Sequence, residues 1–313
     1  MRVLLISANP ATSPYPVYPL GLSMVSGALR GAGHQVQHFD FLQHQLSLEA
    51  LSQVLADYHP ELVGISIRNI DNVNLAHEVR YLSAVKNIVE TIRRESGSKV
   101  ILGGSAFSIM PEAILEATGA DYGIVGEGER AMAEFTNHAA QGRYPENPVI
   151  RMPPSLSGTE IPSADYEPDV MAYYLQSGTV ASVQTKRGCS FGCIYCTYPD
   201  LEGTRIRPRD PDGVIRDIRR LIDQHGARYI FFTDSVFNDA QGHYRTLVRE
   251  MAKQGLNVPW TAFFKPGNLT ADDVQLMKQT GLKAAEIGTD ATTDTTLKAL
   301  GKDFLFADVQ ACH

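Results

Sequence analysis

Short apolar runs rich in β-branched residues alternate with segments of helical periodicity through the first half of the chain. Such runs predict β-strands, and apolar residues that recur every three or four positions predict helices. The predicted strands are Val3–Ser7, Gln35–Phe39, Leu62–Ile67, Lys99–Leu102 and Asp121–Val125. The predicted helices are Leu20–Arg30, Leu48–Tyr58, Val73–Glu95, Glu112–Ala117 and Glu129–Ala140. Five strand–helix units predict an α/β domain with a doubly wound parallel sheet, flavodoxin-like or Rossmann-like, at residues 1–142.

The same alternation returns in a second predicted domain, residues 179–313. Its predicted strands are Val180–Gln184, Tyr229–Thr233, Val258–Phe264 and Ala284–Gly288. The predicted helices are Pro211–Gln224, Gly242–Lys253, Ala271–Gln279 and a fourth from Thr295 onward. Four such units predict a partial (β/α) barrel, a fold that carries its chemistry at the carboxyl ends of the strands. The intervening residues, 143–178, are rich in proline, which excludes long helices and predicts an extended connector.

Composition narrows the range of functions. The 313 residues suit about two domains, and 28 Lys and Arg against 35 Asp and Glu give a formal net charge of −7. This balance argues against binding to nucleic acid or to an acidic membrane surface, which both require clustered cations. No run approaches the roughly 20 apolar residues of a membrane span. Four unevenly spaced cysteines do not suit a disulfide framework and predict a reducing, cytoplasmic location.

Three of the four cysteines, Cys189, Cys193 and Cys196, form a Cys-x3-Cys-x2-Cys pattern that contains Gly192. Glycine permits a tight loop in which the three thiolates converge, and thiolates are the ligands of iron–sulfur clusters. A [4Fe–4S] cube held by three thiolates keeps one iron open for another ligand. A zinc knuckle and a chance group of buried cysteines are the alternatives. Zinc requires a fourth ligand nearby, and none follows within twenty residues.

The spacing, with Tyr195 directly before the third cysteine, resembles the signature of the radical S-adenosylmethionine (SAM) enzymes. The resemblance implies that Cys189, Cys193 and Cys196 bind the cluster and that Tyr195 lies near the adenine of SAM. It implies an electron donor such as flavodoxin or ferredoxin, whose electron cleaves SAM to methionine and a 5′-deoxyadenosyl radical. It also implies SAM contacts at the ends of two strands, made by Asp234, Ser235, Glu286, Thr289 and Asp290. Helix capping is the alternative for Asp234 and Asp290.

Glycines and small polar residues follow three predicted strands of the first domain, where open α/β sheets bind ligands. They include Ser66, Gly103 and Gly126. Tight strand-to-helix turns are the alternative. No Gly-x-Gly-x-x-Gly follows the first strand, which argues against NAD.

A doubly wound domain ahead of a radical SAM core resembles the cobalamin-binding class of these enzymes, and the cysteine region resembles a subgroup labelled as lipid-biosynthesis proteins. The resemblance implies that cobalamin contacts lie near Ser66, Arg68, Gly103, Gly104, Gly126 and Glu127. An exposed loop cation is the alternative for Arg68. The Asp-x-His-x-x-Gly string that supplies a cobalt-binding histidine in some relatives is missing, so we expect no protein histidine on the cobalt.

The implied activity is radical chemistry on a small-molecule or lipid-like substrate, most simply methylation of an unactivated carbon. Rearrangement or cyclisation without methyl transfer is one alternative. A module that binds the cluster or cobalamin and needs a partner for turnover is another. The family core usually has six strand–helix units, and the sequence supplies four. We therefore expect a fragment, a split enzyme completed by another chain, or a divergent half-barrel.

Overall fold

The computed structural model describes residues 1–13, 15–152, 156–176 and 180–313. The chain forms two compact units, which are described separately. The first comprises Met1–Ser155 and Ala164–Thr179, and the second comprises Leu156–Ser163 and Val180–His313. The predicted connector, 143–178, is thus divided between the two units, and the predicted boundaries at 142 and 179 stay predictions. No helix in the described ranges is long and apolar enough to cross a lipid bilayer.

The first unit is a parallel six-stranded sheet with helices on both faces, which confirms the predicted doubly wound fold. Its strands are β1 (Arg2–Ser7), β2 (Gln35–Asp40), β3 (Leu62–Ser66), β4 (Lys99–Gly103), β5 (Tyr122–Val125) and β6 (Val149–Arg151). Its helices are α1 (Leu20–Gly31), α2 (Leu48–Tyr58), α3 (Leu82–Glu95), α4 (Ser105–Ile109), α5 (Pro111–Thr118), α6 (Gly128–Ala139) and α7 (Pro168–Gln176). The strand order β2-β1-β3-β4-β5-β6 reverses direction between β1 and β3.

Strand β1 shows why both faces of this sheet are covered. Successive side chains of a strand point to opposite faces. Leu4 and Ile6 accordingly pack in the apolar cluster that contains residues of α2 and α3, whereas Val3 and Leu5 pack in the cluster that contains residues of α1 and α6. All four are at most 1% exposed. A strand buried on both faces reads as a continuous apolar run, and this makes it easy to predict.

Three details of the first unit differ from the predictions. The helix predicted from Val73 begins at Leu82. The reason is that the side chains of Asn72 and Asn74 form hydrogen bonds with backbone N–H groups of the loop that contains them. The side-chain oxygen of Asn72 accepts from the Val79 N–H at 3.0 Å, and that of Asn74 accepts from the Ala76 N–H at 3.1 Å. Such local bonds compete with a helix. The short helix α4 and strand β6 were not predicted.

The second unit contains a parallel four-stranded sheet in the order β12-β11-β10-β7 and a two-stranded antiparallel ribbon, β8 with β9. The strands are β7 (Ala181–Val183), β8 (Lys186–Arg187), β9 (Arg207–Pro208), β10 (Ile230–Phe232), β11 (Trp260–Phe264) and β12 (Leu282–Ile287). The helices are α8 (Tyr198–Glu202), α9 (Pro211–His225), α10 (His243–Lys253), α11 (Ala271–Gln279), α12 (Asp294–Ala299) and α13 (Phe306–Cys312), and a 3-10 turn spans Gly158–Glu160. The ribbon, the turn and α8 were not predicted.

An aromatic cluster forms the centre of this unit. Phe237 packs with Trp260 at a ring-centroid distance of 5.1 Å and with Phe232 at 5.2 Å. The edge strand β12, in contrast, exposes residues 283–286 to solvent. The single helix predicted from Thr295 is wrong, because the chain turns at Gly301, whose φ of 74° is left-handed, and forms α12 and α13 in its place. Glycine is the usual residue where a helix ends this way.

Candidate functional site

The cysteine loop, residues 188–197, follows β8 and has no regular secondary structure of its own. It starts at Gly188, whose φ is 91° and whose missing Cβ would lie 2.1 Å from the Arg205 carbonyl oxygen. Only glycine satisfies both conditions. The Cys189 N–H then donates to the Gly203 carbonyl at 3.0 Å, and the Cys196 N–H donates to the Cys193 carbonyl at 3.1 Å. The first bond joins the start of the loop to the end of α8, and the second closes a turn within the loop.

All four cysteines are free thiols, and Cys189 is the buried member of the loop. Burial raises the pKa of the Cys189 thiol, and the neighbouring Cys196, Cys193 and Glu202 raise it further. Within the described residues, no three His, Cys, Asp or Glu side chains converge on one point that suits a single metal ion.

Asp234 follows β10, contacts the residues that precede the loop and is 1% exposed. Its Oδ1 accepts from the Thr185 N–H at 2.7 Å and from the Lys186 N–H at 3.2 Å, and its Oδ2 accepts from the Thr185 hydroxyl. The Lys186 ammonium lies 3.2 Å from Asp234 and 3.4 Å from Asp239. The structure thus uses Asp234 to fix the chain that enters the loop. It does not cap a helix, since Gly242 is the N-cap of α10, the next helix along the chain. Its contact with SAM stays a prediction.

Glu202, at the end of α8, joins the two ends of the loop. Its carboxylate accepts from the Gly188 N–H at 3.1 Å and from the Gln184 amide at 2.9 Å. Burial raises the pKa of Glu202, while the bond from Gly188 opposes that rise. The predicted residue Ser235 donates to the same carboxylate at 3.5 Å, which places it at the rim of this network.

Tyr195 and Asp290, predicted as SAM contacts, meet in the structure. The Tyr195 hydroxyl donates to Asp290 Oδ2 at 2.8 Å, and the Lys302 ammonium pairs with the same carboxylate oxygen. Hydrogen bonding from Lys302 lowers the pKa of Asp290, although burial opposes that effect. Asp290 has a left-handed φ of 61°, and it does not cap a helix, since Thr293 caps α12. Thr289 is half-buried beside it, whereas Glu286 is exposed on the edge strand β12.

The first unit places its predicted residues at the carboxyl ends of three adjacent strands. Ser66 pairs in register with Gly103, the last residues of β3 and β4, and Gly126 follows β5. Gly104 has a φ of 96°, and a Cβ there would lie 2.5 Å from the Ile67 carbonyl oxygen. The Gly126 N–H donates to the Ser108 hydroxyl at 2.9 Å. The glycines therefore make close strand-to-helix turns and still line one edge of the sheet.

The other predicted residues of this unit lie at the same edge. Arg68 is exposed and donates to the Asn69 side chain at 3.0 Å, and Glu127 precedes α6. Asn9, just after β1, was not predicted, although its position beside the β1/β3 reversal was readable from the sequence. It is 6% exposed, and its amide nitrogen has no hydrogen-bond partner among the described residues. A buried amide donor without a partner points to a ligand acceptor at this edge.

Sequence reasoning missed several residues of the second unit. Glu202 lies in a segment used for the subgroup resemblance, so a local signal existed. Lys186 and Arg187 directly precede the loop, so their position was visible in the sequence. The sequence did not show that they are buried, because a cation beside a loop is usually a surface residue. Lys265, Lys302 and Asp239 carried no signal, because their partners lie far away in the sequence.

Residues 6–136 match the B12 binding domain family, and residues 183–312 match the radical SAM superfamily. The first match lies in the doubly wound unit. The second starts at the last residue of β7 and includes the cysteine loop and strands β10, β11 and β12. The predicted proline-rich connector, residues 143–178, lies outside both matches.

The chain is similar to tryptophan 2-C-methyltransferase of Streptomyces laurentii, with 25% identity over 97% of this chain and 64% of the relative. It is also similar to the radical SAM methyltransferase TsrM of Kitasatospora setae. The TsrM structure with tryptophan and a SAM analog gives a TM-score of 0.87, 25% identity, and coverage of 99% of this chain and 64% of that chain. The TsrM structure with cobalamin and a [4Fe–4S] cluster gives a TM-score of 0.86 and 26% identity, and the match covers 99% of this chain and 66% of that chain. This chain spans less than two thirds of each.

Proposed function

Because this chain belongs to the radical SAM proteins that carry a B12 binding domain, we propose that it is a cobalamin-dependent radical SAM enzyme that methylates an unactivated carbon of a small molecule. The observation that carries the proposal is a loop with three free thiols, set on a buried charge network, in the same chain as a doubly wound sheet whose strand ends suit a ligand. The two family matches confirm the sequence resemblance to this class.

The cysteine loop supplies a donor set that suits a [4Fe–4S] cluster. Cys189, Cys193 and Cys196 would hold it, because three separate thiolates match three corners of a cube. Cys312 lies at the end of α13 and has no role in this proposal. Asp234 and Glu202 position the start of the loop through their bonds to the Thr185 and Gly188 N–H groups.

SAM would lie at the exposed face of the loop. Tyr195 is 53% exposed and is fixed by Asp290, so its ring is oriented and accessible for contact with adenine. Ser235, Thr289 and Glu286 stay predicted contacts at the ends of β10 and β12. Asp234, which is 1% exposed, also stays a predicted contact at the end of β10.

Cobalamin would bind the strand-end edge of the first unit, and the chemistry of that edge fits a corrinoid. The ring carries amide side chains, and the edge offers the unpartnered Asn9 amide and backbone at Gly103, Gly104 and Gly126. Ser66, Arg68 and Glu127 complete the predicted contacts. We expect no protein histidine on the cobalt, because the sequence lacks the Asp-x-His-x-x-Gly string.

When bound, these cofactors supply the organic radical and the methyl group, and the protein contributes binding, orientation and exclusion of water. A small-molecule acceptor is proposed because the related TsrM structure contains its tryptophan substrate. A lipid-like acceptor is the alternative within this proposal. The electron donor is a flavodoxin or a ferredoxin.

The proposal is tested by anaerobic reconstitution with iron and sulfide, followed by cobalamin, SAM and a strong reductant. We expect four iron atoms per chain for a [4Fe–4S] cluster, a retained corrinoid and release of 5′-deoxyadenosine. Ala substitution of any one of Cys189, Cys193 or Cys196 should remove the brown chromophore, whereas Cys312→Ala should retain it. One zinc per chain, or equal loss in all four variants, would contradict the proposal.

The exposed edge strand β12 favours a second candidate. Parallel strands are normally buried on both faces, and residues 283–286 are exposed. The chain would then be a module that binds the cluster and cobalamin, and its second unit would need further strands from a partner chain for turnover. Cluster and corrinoid binding without SAM cleavage would support this candidate, and 5′-deoxyadenosine from the chain alone would contradict it.

A further inference from the structure

Two lysines contact the two aromatic side chains of the cysteine loop. The Lys265 ammonium lies 4.0 Å from the centroid of the Phe191 ring, and the Lys302 ammonium lies 5.2 Å from the centroid of the Tyr195 ring. Both distances are within the range of cation–π attraction. The lysine side chains are 10% and 8% exposed, so the two charges are largely removed from water.

Each lysine is held in place by groups outside the loop. Lys265 pairs with Asp303, and its backbone N–H donates to the Asn238 side-chain oxygen at 2.9 Å. The Asn238 amide also donates to the Lys265 carbonyl at 2.8 Å, and Asn238 is fully buried. Lys302 pairs with Asp290. The two cations are therefore fixed at their positions, and neither is a freely moving surface side chain.

The turn between α12 and α13 contacts the same loop. We name it the clasp, residues Leu300–Asp303. The Ile194 N–H donates to the Leu300 carbonyl at 3.1 Å. Gly301 lies so close to the loop that a Cβ there would be 2.4 Å from the Gly192 carbonyl oxygen. A side chain at position 301 would therefore push the clasp away from the loop, in addition to the strain of its left-handed φ.

Hydrophobic burial cannot hold the loop, because Ile194 and Tyr195 are 74% and 53% exposed. We propose that Lys265 and Lys302, together with the clasp, are positioning residues that fold the cysteine loop before a cluster binds and place two positive charges beside its thiolates. The charge effect rests on the proposed function, whereas the folding effect does not. Fixed positive charge near thiolates stabilises the more negative, reduced cluster and so raises its reduction potential.

The test compares Lys302→Met, Lys302→Arg and the control Lys298→Met, a change at an exposed position of α12. Methionine keeps the apolar stem and removes the charge, and arginine keeps the charge and the cation–π contact. In the protein without cofactors, we expect the Ile194 amide to exchange hydrogen on the order of tenfold faster in Lys302→Met. Lys302→Arg should restore the slow exchange, and Lys298→Met should match the wild type. Lys265→Met should increase the rate of amide hydrogen exchange near Phe191.

The second readout is the reduction potential of the reconstituted cluster. Lys302→Met and Lys265→Met should make it more negative, while Lys302→Arg and Lys298→Met should leave it near the wild-type value. Gly301→Ala should loosen the loop with both lysines present, and the fluorescence of Trp260, the single tryptophan, verifies that the unit stays folded.

Equal exchange and equal potential in Lys302→Met and Lys298→Met would overturn the inference. Failure of SAM cleavage in a folded, cluster-loaded protein would count against the proposed function alone, because neither readout here depends on turnover.

Discussion

The two units differ in how they treat buried charge. Among the described residues, the first unit buries the charged residues Asp40 and Glu129. The second buries a larger set, Lys186, Arg187, Arg209, Asp217, Asp234, Asp239, Lys265 and Asp273. The first unit has a six-stranded sheet whose central strands are continuous apolar runs. In the second unit, two of the four strands of the parallel sheet have three residues, and ion pairs and hydrogen bonds hold the irregular cysteine loop.

This difference suits what each unit would bind. Cobalamin is a large ligand with many neutral amides, and a rigid edge of backbone groups and small side chains accommodates it. A cluster with three thiolates is compact and negatively charged, and Lys265 and Lys302 would place positive charge beside its loop. The comparison predicts that removing a buried charge lowers the stability of the second unit most. In the first unit, the largest loss of stability should come from replacing a glycine with a positive φ.

The largest effect is expected from Asp234→Ala. The change leaves the Lys186 ammonium, 2% exposed, with one carboxylate partner, Asp239. Removing one partner of a buried pair costs about 3–5 kcal/mol of unfolding free energy. Denaturant unfolding followed by Trp260 fluorescence measures it, because that residue lies in the second unit. Asp223→Ala, at an exposed position of α9, is the control. Equal unfolding midpoints for the two variants would contradict the importance of the buried pair.

A somewhat smaller effect is expected from Gly104→Ala in the first unit. The new Cβ would meet the Ile67 backbone at 2.5 Å in a left-handed conformation, and we expect a loss of about 3 kcal/mol. Gly21→Ala is the matched control, because that helical glycine has open space around its Cα and alanine favours helix. Circular dichroism would follow the unfolding of both units. Trp260 fluorescence would report the unfolding of the second unit, so that the unfolding of the first can be distinguished. A Gly104→Ala protein as stable as the control would show that the turn can relax.

Acid should weaken the first unit through His38 on β2. Burial lowers the pKa of His38 from 6.5 to about 4, and Arg30 lowers it further while Asp165 opposes the shift. The unfolded chain takes up a proton below pH 6.5 and the folded chain does not, so stability falls as the pH drops from 6.5 through 4. We expect a loss of about 2 kcal/mol from this residue after allowance for partial exposure.

His38→Gln should reduce the decrease in melting temperature between neutral pH and pH 4, whereas His77→Gln, in an exposed loop, should not change it. An unchanged pH profile in His38→Gln would show that other groups control the acid sensitivity of this unit.

The smallest effect is expected from Ser47→Ala at the start of α2. The Ser47 hydroxyl accepts from the Ala50 N–H at 3.1 Å and caps the helix, so its loss should cost about 1 kcal/mol. Thermal unfolding of Ser83→Ala, an exposed position within α3, provides the baseline. A larger loss than that of Gly104→Ala would reverse the order that the comparison predicts.

Much of the fold could be predicted because the signals are local. Buried parallel strands are continuous apolar runs, so most predicted strands differ from the observed ones by one or two residues at either end, and α2 and α11 have the predicted bounds. The cysteine pattern is also local, since three ligands within one loop need no distant partner. Elements of two or three residues, such as β8 and β9, are too short to show any period.

The amino-acid sequence by itself determined the alternation of strands and helices, the division into two domains and the three-cysteine loop, because each depends on neighbours along the chain. Tertiary structure decided the roles of individual charges. Asp234 acts on Thr185 and Lys186, and Lys302 acts on Tyr195, across more than forty residues of sequence. A lysine or an aspartate reads as a surface residue until folding removes it from water, and only then does the need for a partner fix where it must lie.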